Sequence, residues 1–205
     1  MKRSVLVFLG LSVVLATGLP AAAEGSDATA VTAKLAADVD AHPAATPKVK
    51  TFIKETLIPL CTNPVFVEQT QAQNAQGLTL EQIKKTDQQW AEAEDELPIH
   101  NKLLNNACAE EIRRIVNENP AIGETFVTDN QGANVGQNEL TSDYWQGDEP
   151  KWQKPFNNGQ GGIDIAEPKL DKSTNAVDQK ISLPIIDGQG NVIGTVTFGI
   201  LVDRL

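Results

Sequence analysis

The chain has 205 residues, 40% of them hydrophobic, and its 27 acidic and 17 basic side chains give a net charge of −10 at pH 7. That length holds one domain with a sizeable core. An acidic chain with no basic stripe excludes nucleic acid and anionic membrane surfaces as charge-driven partners, since both are polyanions.

The first residues read as a secretory signal peptide, residues 1–23. Lys2 and Arg3 form a charged start, Val5 to Leu19 a mostly apolar run, and Ala21-Ala22-Ala23 a small-residue cleavage site. The apolar run falls short of the roughly 20 residues that span a bilayer, so an uncleaved anchor is the weaker reading. Cleavage after Ala23 leaves 15 basic against 27 acidic side chains, a charge of −12, on a periplasmic or secreted product with no membrane span. Cys61 and Cys108 are the only cysteines. On separate predicted helices in an oxidising compartment, they predict a structural disulfide, and without a CxxC spacing a redox pair is the weaker alternative.

Residues 24–45, rich in Ala, Asp and Thr, read as a tail or loosely ordered linker, at most a loosely formed helix. Residues 46–205 read as a single domain with a helical half (46–118) and a sheet half (124–205). Thr46-Pro47 is an N-cap followed by proline at the first helical position, leading into a stripe of Val49, Phe52, Ile53, Leu57 and Leu60. Pro59 and Pro64 are expected to kink or interrupt it. Thr79 with Gln82 forms a capping-box pattern ahead of Leu80, Ile83 and Trp90, with Asp87 on the same face. After the break at Leu97-Pro98, Ile99, Leu103, Leu104, Cys108, Ile112, Ile115 and Val116 recur with helical period up to Asn119-Pro120.

Beyond Pro120 the period becomes that of strands. Thr125 to Thr128 and Ala133 to Gln137 flank the turn Asp129-Asn130-Gln131-Gly132. Lys180 to Ile186 and Val192 to Val202 flank Asp187-Gly188-Gln189-Gly190-Asn191. A further strand is predicted near Ile163 to Ile165, after a glycine-rich loop at 159–162. Helices first and an antiparallel sheet afterwards define an α+β domain.

Between the hairpins lies the most unusual segment, Thr141-Ser-Asp-Tyr-Trp-Gln-Gly-Asp-Glu-Pro-Lys-Trp152. It holds the only tyrosine and two of the three tryptophans, interleaved with Asp143, Asp148 and Glu149. Aromatic faces beside carboxylates suit a small cationic or polar ligand, so the segment reads as a pocket wall. The plainer readings are core packing for Trp145 and Trp152, an N-cap for Asp143, and a solvated turn for Asp148 and Glu149.

"Phe-Val-Thr-Asp-x-x-Gly" on a strand and turn, "Thr-Ser-Asp-Tyr-x-Gln-Gly-Asp-Glu" before a Trp, and a closing "Leu-Pro-Ile-x-Asp-x-x-Gly-x-x-x-Gly" hairpin resemble the Cache, or PDC, class of extracytoplasmic PAS-like sensor domains. The resemblance covers roughly residues 46–205, and Ile83 to Trp90 is similar to that class's helical lead-in. It implies a five-stranded antiparallel sheet flanked by helices, with small ligands held between the sheet and the segment after its second strand. Carried onto this chain, the ligand-binding candidates are Asp143, Tyr144, Trp145, Asp148, Trp152 and Asp164. Members that grip an amino-acid carboxylate use an Arg just ahead of an aromatic pair. Here Glu149-Pro150-Lys151 precede Trp152, which favours an amine or a neutral polar metabolite. The sequence as given ends after the last predicted strand, so signalling is expected to run through a separate membrane receptor or sensor kinase.

Catalysis finds little support. His42 and His100 are the only histidines, and no GxSxG elbow, HExxH, P-loop or dinucleotide glycine pattern occurs. No cofactor is expected. The rival readings are an acidic Ca²⁺-binding protein using Asp143, Asp148 and Glu149 as hard oxygen ligands, and a structural accessory protein whose helical half docks a membrane receptor.

Overall fold

The computed structural model describes residues 26–171 and 176–205. The predicted signal peptide lies outside the described residues. Among those described, no helix is long and apolar enough to cross a membrane.

The predicted α+β order holds. Helices α1 (Ser26–Ala41), α2 (Pro47–Phe52), α3 (Pro64–Asn74), α4 (Leu80–Ala91), α5 (Pro98–Leu104) and α6 (Ala107–Glu118) precede the sheet. Strands β1 (Ile122–Thr128), β2 (Asn134–Gln137), β3 (Asp164–Ile165), β4 (Lys169–Asp171), β5 (Ala176–Ile186) and β6 (Val192–Leu201) form it, and α7 (Pro150–Phe156) lies between β2 and β3. The main path runs β2-β1-β6-β5-β3 with β4 also on β5, and every pairing is antiparallel. This is the five-strand path that the resemblance implied.

The tail reading of residues 24–45 needs correcting. Most of the stretch is α1, whose Leu35 and Val39 are fully buried in the main core. Val31, half-buried against the same core, Leu35 and Val39 recur every four residues and dock the helix, a stripe that the surrounding alanines and threonines obscure.

The predicted interruption at Pro59 and Pro64 is real. After α2 the chain makes a π-helical turn, Ile53–Leu57, and a 3₁₀ turn, Ile58–Thr62. A new helix then starts with Pro64 in its first turn, where its missing N–H is harmless, and Asn63 Oδ1 caps the amides of Val65 and Phe66. The long stripe from Ile99 to Val116 is broken at Asn105-Asn106. Asn106 Oδ1 accepts the Ala109 amide at 2.9 Å to start α6, and its Nδ2 donates to the Val135 carbonyl at 2.7 Å, tying the helix to β2.

The predicted disulfide is not formed; Cys61 and Cys108 are free and fully buried in the main core. Cys108 faces β2, where a Cβ added at Gly136 would meet its Cβ at 2.6 Å and its Sγ at 2.9 Å. Each sulfur packs as a small hydrophobe.

The sheet has two unlike faces, because successive side chains on a strand alternate. One face carries Val127, Val196 and Leu183 in one row and Phe198, Ile181 and Ile165 in the next, and it packs on the helices as the main core. The other face is polar and sits beneath α7.

Candidate functional site

The polar face begins with a row that crosses all five strands of the main path. Gln137, Phe126, Thr197, Ser182 and Asp164 are register partners from β2 to β3. All five are buried. Buried hydroxyls need partners, and here they find one another. Ser182 Oγ and Thr197 Oγ1 lie 2.9 Å apart, and in the next row Thr128 Oγ1 and Thr195 Oγ1 lie 2.6 Å apart.

Helix α7 covers this row. It starts at Pro150, a favoured first-turn position, and ends where Asn157 turns left-handed at φ 46°. Lys151 and Lys154, three residues apart, share one side of the helix. Lys151 Nζ sits 5.4 Å from the centroid of the Phe126 ring, and Lys154 Nζ pairs with Asp164 Oδ1 at 2.6 Å. At the β3–β5 end of this layer opens a cavity of about 520 Å³, lined among others by Glu149, Lys151, Lys154, Asp164, Glu167, Lys169 and Lys180.

Four lysines against three carboxylates line a cavity in a chain whose overall balance is acidic. Lys151 pairs with Glu149 at 3.1 Å, and Lys180 with Glu124 at 2.6 Å and Asp178 at 3.3 Å. Burial works against the Lys180 charge, yet the hydrogen bond and charge of Glu124, with Asp178 behind it, hold the ammonium above its ordinary value. Among the described residues Lys169 forms no ion pair. Ammonium groups on flexible stems can turn from these partners to an incoming anion, where charge-assisted hydrogen bonds are the strong ones.

The six predicted site residues are not brought together. Asp164 lines the cavity, paired with Lys154. Trp152 is on the covering helix, stacked on Phe156 at 4.8 Å, with its indole N–H donated to the Asp129 carbonyl at 3.0 Å. Tyr144 is buried in a second, smaller core with Ile83, Trp90, Leu103 and Ala133. Burial, with the Asp129 charge adding, pushes its phenol up to about 12. Trp145 is pinned by its main-chain N–H to Asp87 at 2.9 Å and its indole N–H to the Gln131 carbonyl at 2.7 Å, with Lys84 Nζ 4.5 Å from its ring centroid.

Asp143 works through its main-chain carbonyl, which accepts from Asn134, Thr141 and Gln146, while its carboxylate takes the Ser142 hydroxyl at the surface. Asp148 is exposed. Core packing was weighed for Trp145 and Trp152; Trp145 does pack, half-buried, against the second core, but the ring of this segment buried there is that of Tyr144, for which core packing was not weighed. Among the described residues no group of three or more His, Cys, Asp or Glu is placed to hold a metal ion.

Sequence reasoning did not propose Phe126, Lys154, Lys169 or Lys180, and it weighed Lys151 only as the residue standing where an Arg was sought. The available signal was Pro150 followed by lysines three residues apart, which predicts a short helix with both ammonium groups on one side.

No protein-family model matches the chain, and no curated protein is similar to it. Among solved structures it is similar to the sensor domain of the V. cholerae histidine kinase DctB, at 14% identity and a TM-score of 0.37 over 86% of this chain and 58% of that one. It is also similar to the ligand-binding domain of the Campylobacter jejuni chemoreceptor Tlp3 in complex with 4-methylisoleucine, at 14% identity and a TM-score of 0.40 over 88% and 60% of the two chains. The ligand-binding domain of the Pseudomonas aeruginosa PAO1 amino acid chemoreceptor PctC in complex with GABA is similar at 12% identity and a TM-score of 0.33, over 68% and 56%. The chain thus spans 58% and 60% of the first two domains. The fold itself is α+β, with a helical lead-in, a five-strand antiparallel path and α7 across its polar face.

Proposed function

We propose that the chain is an extracytoplasmic sensor domain that captures a small organic anion between α7 and the sheet, without transforming it, and signals through a separate membrane receptor or sensor kinase. The gathering of Lys151, Lys154, Lys169 and Lys180 around one cavity of an acidic chain carries this reading. It replaces the amine or neutral polar ligand expected from the missing Arg, because ammonium groups supply the positive charge that a guanidinium would. A cavity of about 520 Å³ fits a metabolite-sized guest, within the range of small-molecule sites. A signal peptide and periplasmic or secreted placement belong to the same proposal.

The test is a thermal-shift series on the purified chain with short mono- and dicarboxylates and the matching amines. Carboxylates are expected to raise the melting temperature, since a ligand bound only by the folded state stabilises it by mass action. A rise confined to amines, or none with any member of either series, overturns the proposal.

A further inference from the structure

We infer that Asn134, Gln137 and Gln146 hold an internal water molecule between β2 and the loop that leads into α7. All three side chains are wholly buried. Each leaves one amide atom without a partner: Asn134 Oδ1, Gln137 Nε2 and Gln146 Oε1. Buried amide atoms are rarely left so, because each forfeits its bond to solvent without replacement.

The three side chains belong to one network. The two hydrogens of Asn134 Nδ2 are shared among Thr141 Oγ1 at 2.7 Å, Gln137 Oε1 at 3.1 Å and the Asp143 carbonyl at 3.2 Å, and the Thr141 hydroxyl also lies 3.2 Å from Gln137 Oε1. Gln146 Nε2 donates to that same carbonyl at 2.7 Å. One carbonyl is therefore crowded with donors while two amide oxygens and one amide N–H₂ of the same network go unpaired. Turning the amides over does not cure this. Reversing Asn134 and Gln137 together merely exchanges which of their atoms are unpaired, and it sets the Asn134 oxygen against the Asp143 carbonyl at 3.2 Å. Reversing Gln146 sets its oxygen against the same carbonyl at 2.7 Å.

The unpaired set is two acceptors and one donor. Water complements it, donating to Asn134 Oδ1 and Gln146 Oε1 and accepting from Gln137 Nε2, and about three bonds is typical of a buried water. A metabolite cannot reach a site whose walls are wholly buried, so this hydration site is separate from the lysine-lined cavity. It has a mechanical consequence for that cavity. The Gln146 carbonyl accepts the Glu149 amide at 3.1 Å, one residue before Pro150, so the water links the entrance of α7 to β2.

A high-resolution crystal structure of the wild-type chain, with magnetic relaxation dispersion of water on wild type and Gln146→Leu, tests this. The expected result is a density peak within hydrogen-bond distance of at least two of the three amide atoms. The dispersion amplitude of Gln146→Leu should fall by one long-lived water. Amides paired with protein groups and no such peak overturn the inference, as does an unchanged amplitude in a folded variant. If Gln146→Leu fails to fold, the wild-type density alone decides.

Discussion

Trp152 donates its indole N–H to the main-chain carbonyl of Asp129 at 3.0 Å, so the helix covering the candidate site hangs from the turn between β1 and β2. That turn is built by the Asp129 carboxylate. Its Oδ1 accepts the amides of Gln131 and Ala133 at 2.8 and 2.9 Å, and its Oδ2 takes Gln73 Nε2 from α3 at 2.9 Å. The same device closes the β5–β6 hairpin, where Asp187 Oδ1 accepts the amides of Gln189 and Asn191 at 3.0 and 2.8 Å. Each loop completes its reversal with a glycine at positive φ, Gly132 at 89° and Gly190 at 84°.

Asp129 gives the turn a pH dependence. Burial holds its carboxyl above the ordinary value, against the bonds from Gln73, Gln131, Ala133 and Gly132 that pull it down. A carboxyl whose pKa rises on folding binds its proton more tightly in the native state. Its contribution to stability therefore falls as pH rises from about 3.9 through the native value, then levels off. Asp129→Asn removes the titration and keeps an oxygen for the two amides. In denaturant unfolding from about pH 3 to about pH 7, wild-type stability minus that of D129N is expected to decline with pH; a difference that rises contradicts the assignment.

Tyr144 is the sole tyrosine, so tyrosinate absorbance reports on one site. Its phenol is expected to titrate near 12 in the folded protein and near the ordinary value of about 10 once unfolded. Stability is lost as pH climbs through that window, because the native state holds the proton longer. Ionisation near the ordinary value while circular dichroism still shows the fold would place the ring in solvent.

The two thiols are expected to be silent in the native state. Burial pushes both above the ordinary thiol range, with Glu111 adding to the effect at Cys108, and only the thiolate is nucleophilic. A thiol-reactive chromophore without reductant should label neither cysteine at neutral pH and both after unfolding. No labelling after unfolding would show a disulfide instead.

Local signals of capping and turning were legible in the chain. Thr79 and Gln82 form the capping box their spacing predicts, with side-chain bonds at 2.8 and 3.2 Å, and both Asp-x-x-Gly turns fall at their predicted places. These depend on residues a few positions apart. What depends on distant partners was not legible. Val127 and Phe126 are neighbours in sequence, yet one joins the main core and the other a polar row under α7, and only the pairing with β6 decides which.

The aromatic segment was ambiguous for a related reason. Tyr144 and Trp152 bury apolar rings with polar handles in either role, and Trp90 with Ile83, across the chain, claims the tyrosine for packing. The lysines of the cavity come from α7, β4 and β5, so no local spacing could unite them.

The most direct test is a crystal structure of the chain with the carboxylate that most raises its melting temperature. The account predicts density for that anion between α7 and the β3–β5 end of the sheet, its oxygens on Lys151, Lys154, Lys169 or Lys180. Density elsewhere, such as the cleft of about 360 Å³ bordered by Thr32, Val67 and Asp187, with the lysine cavity unchanged, would contradict it.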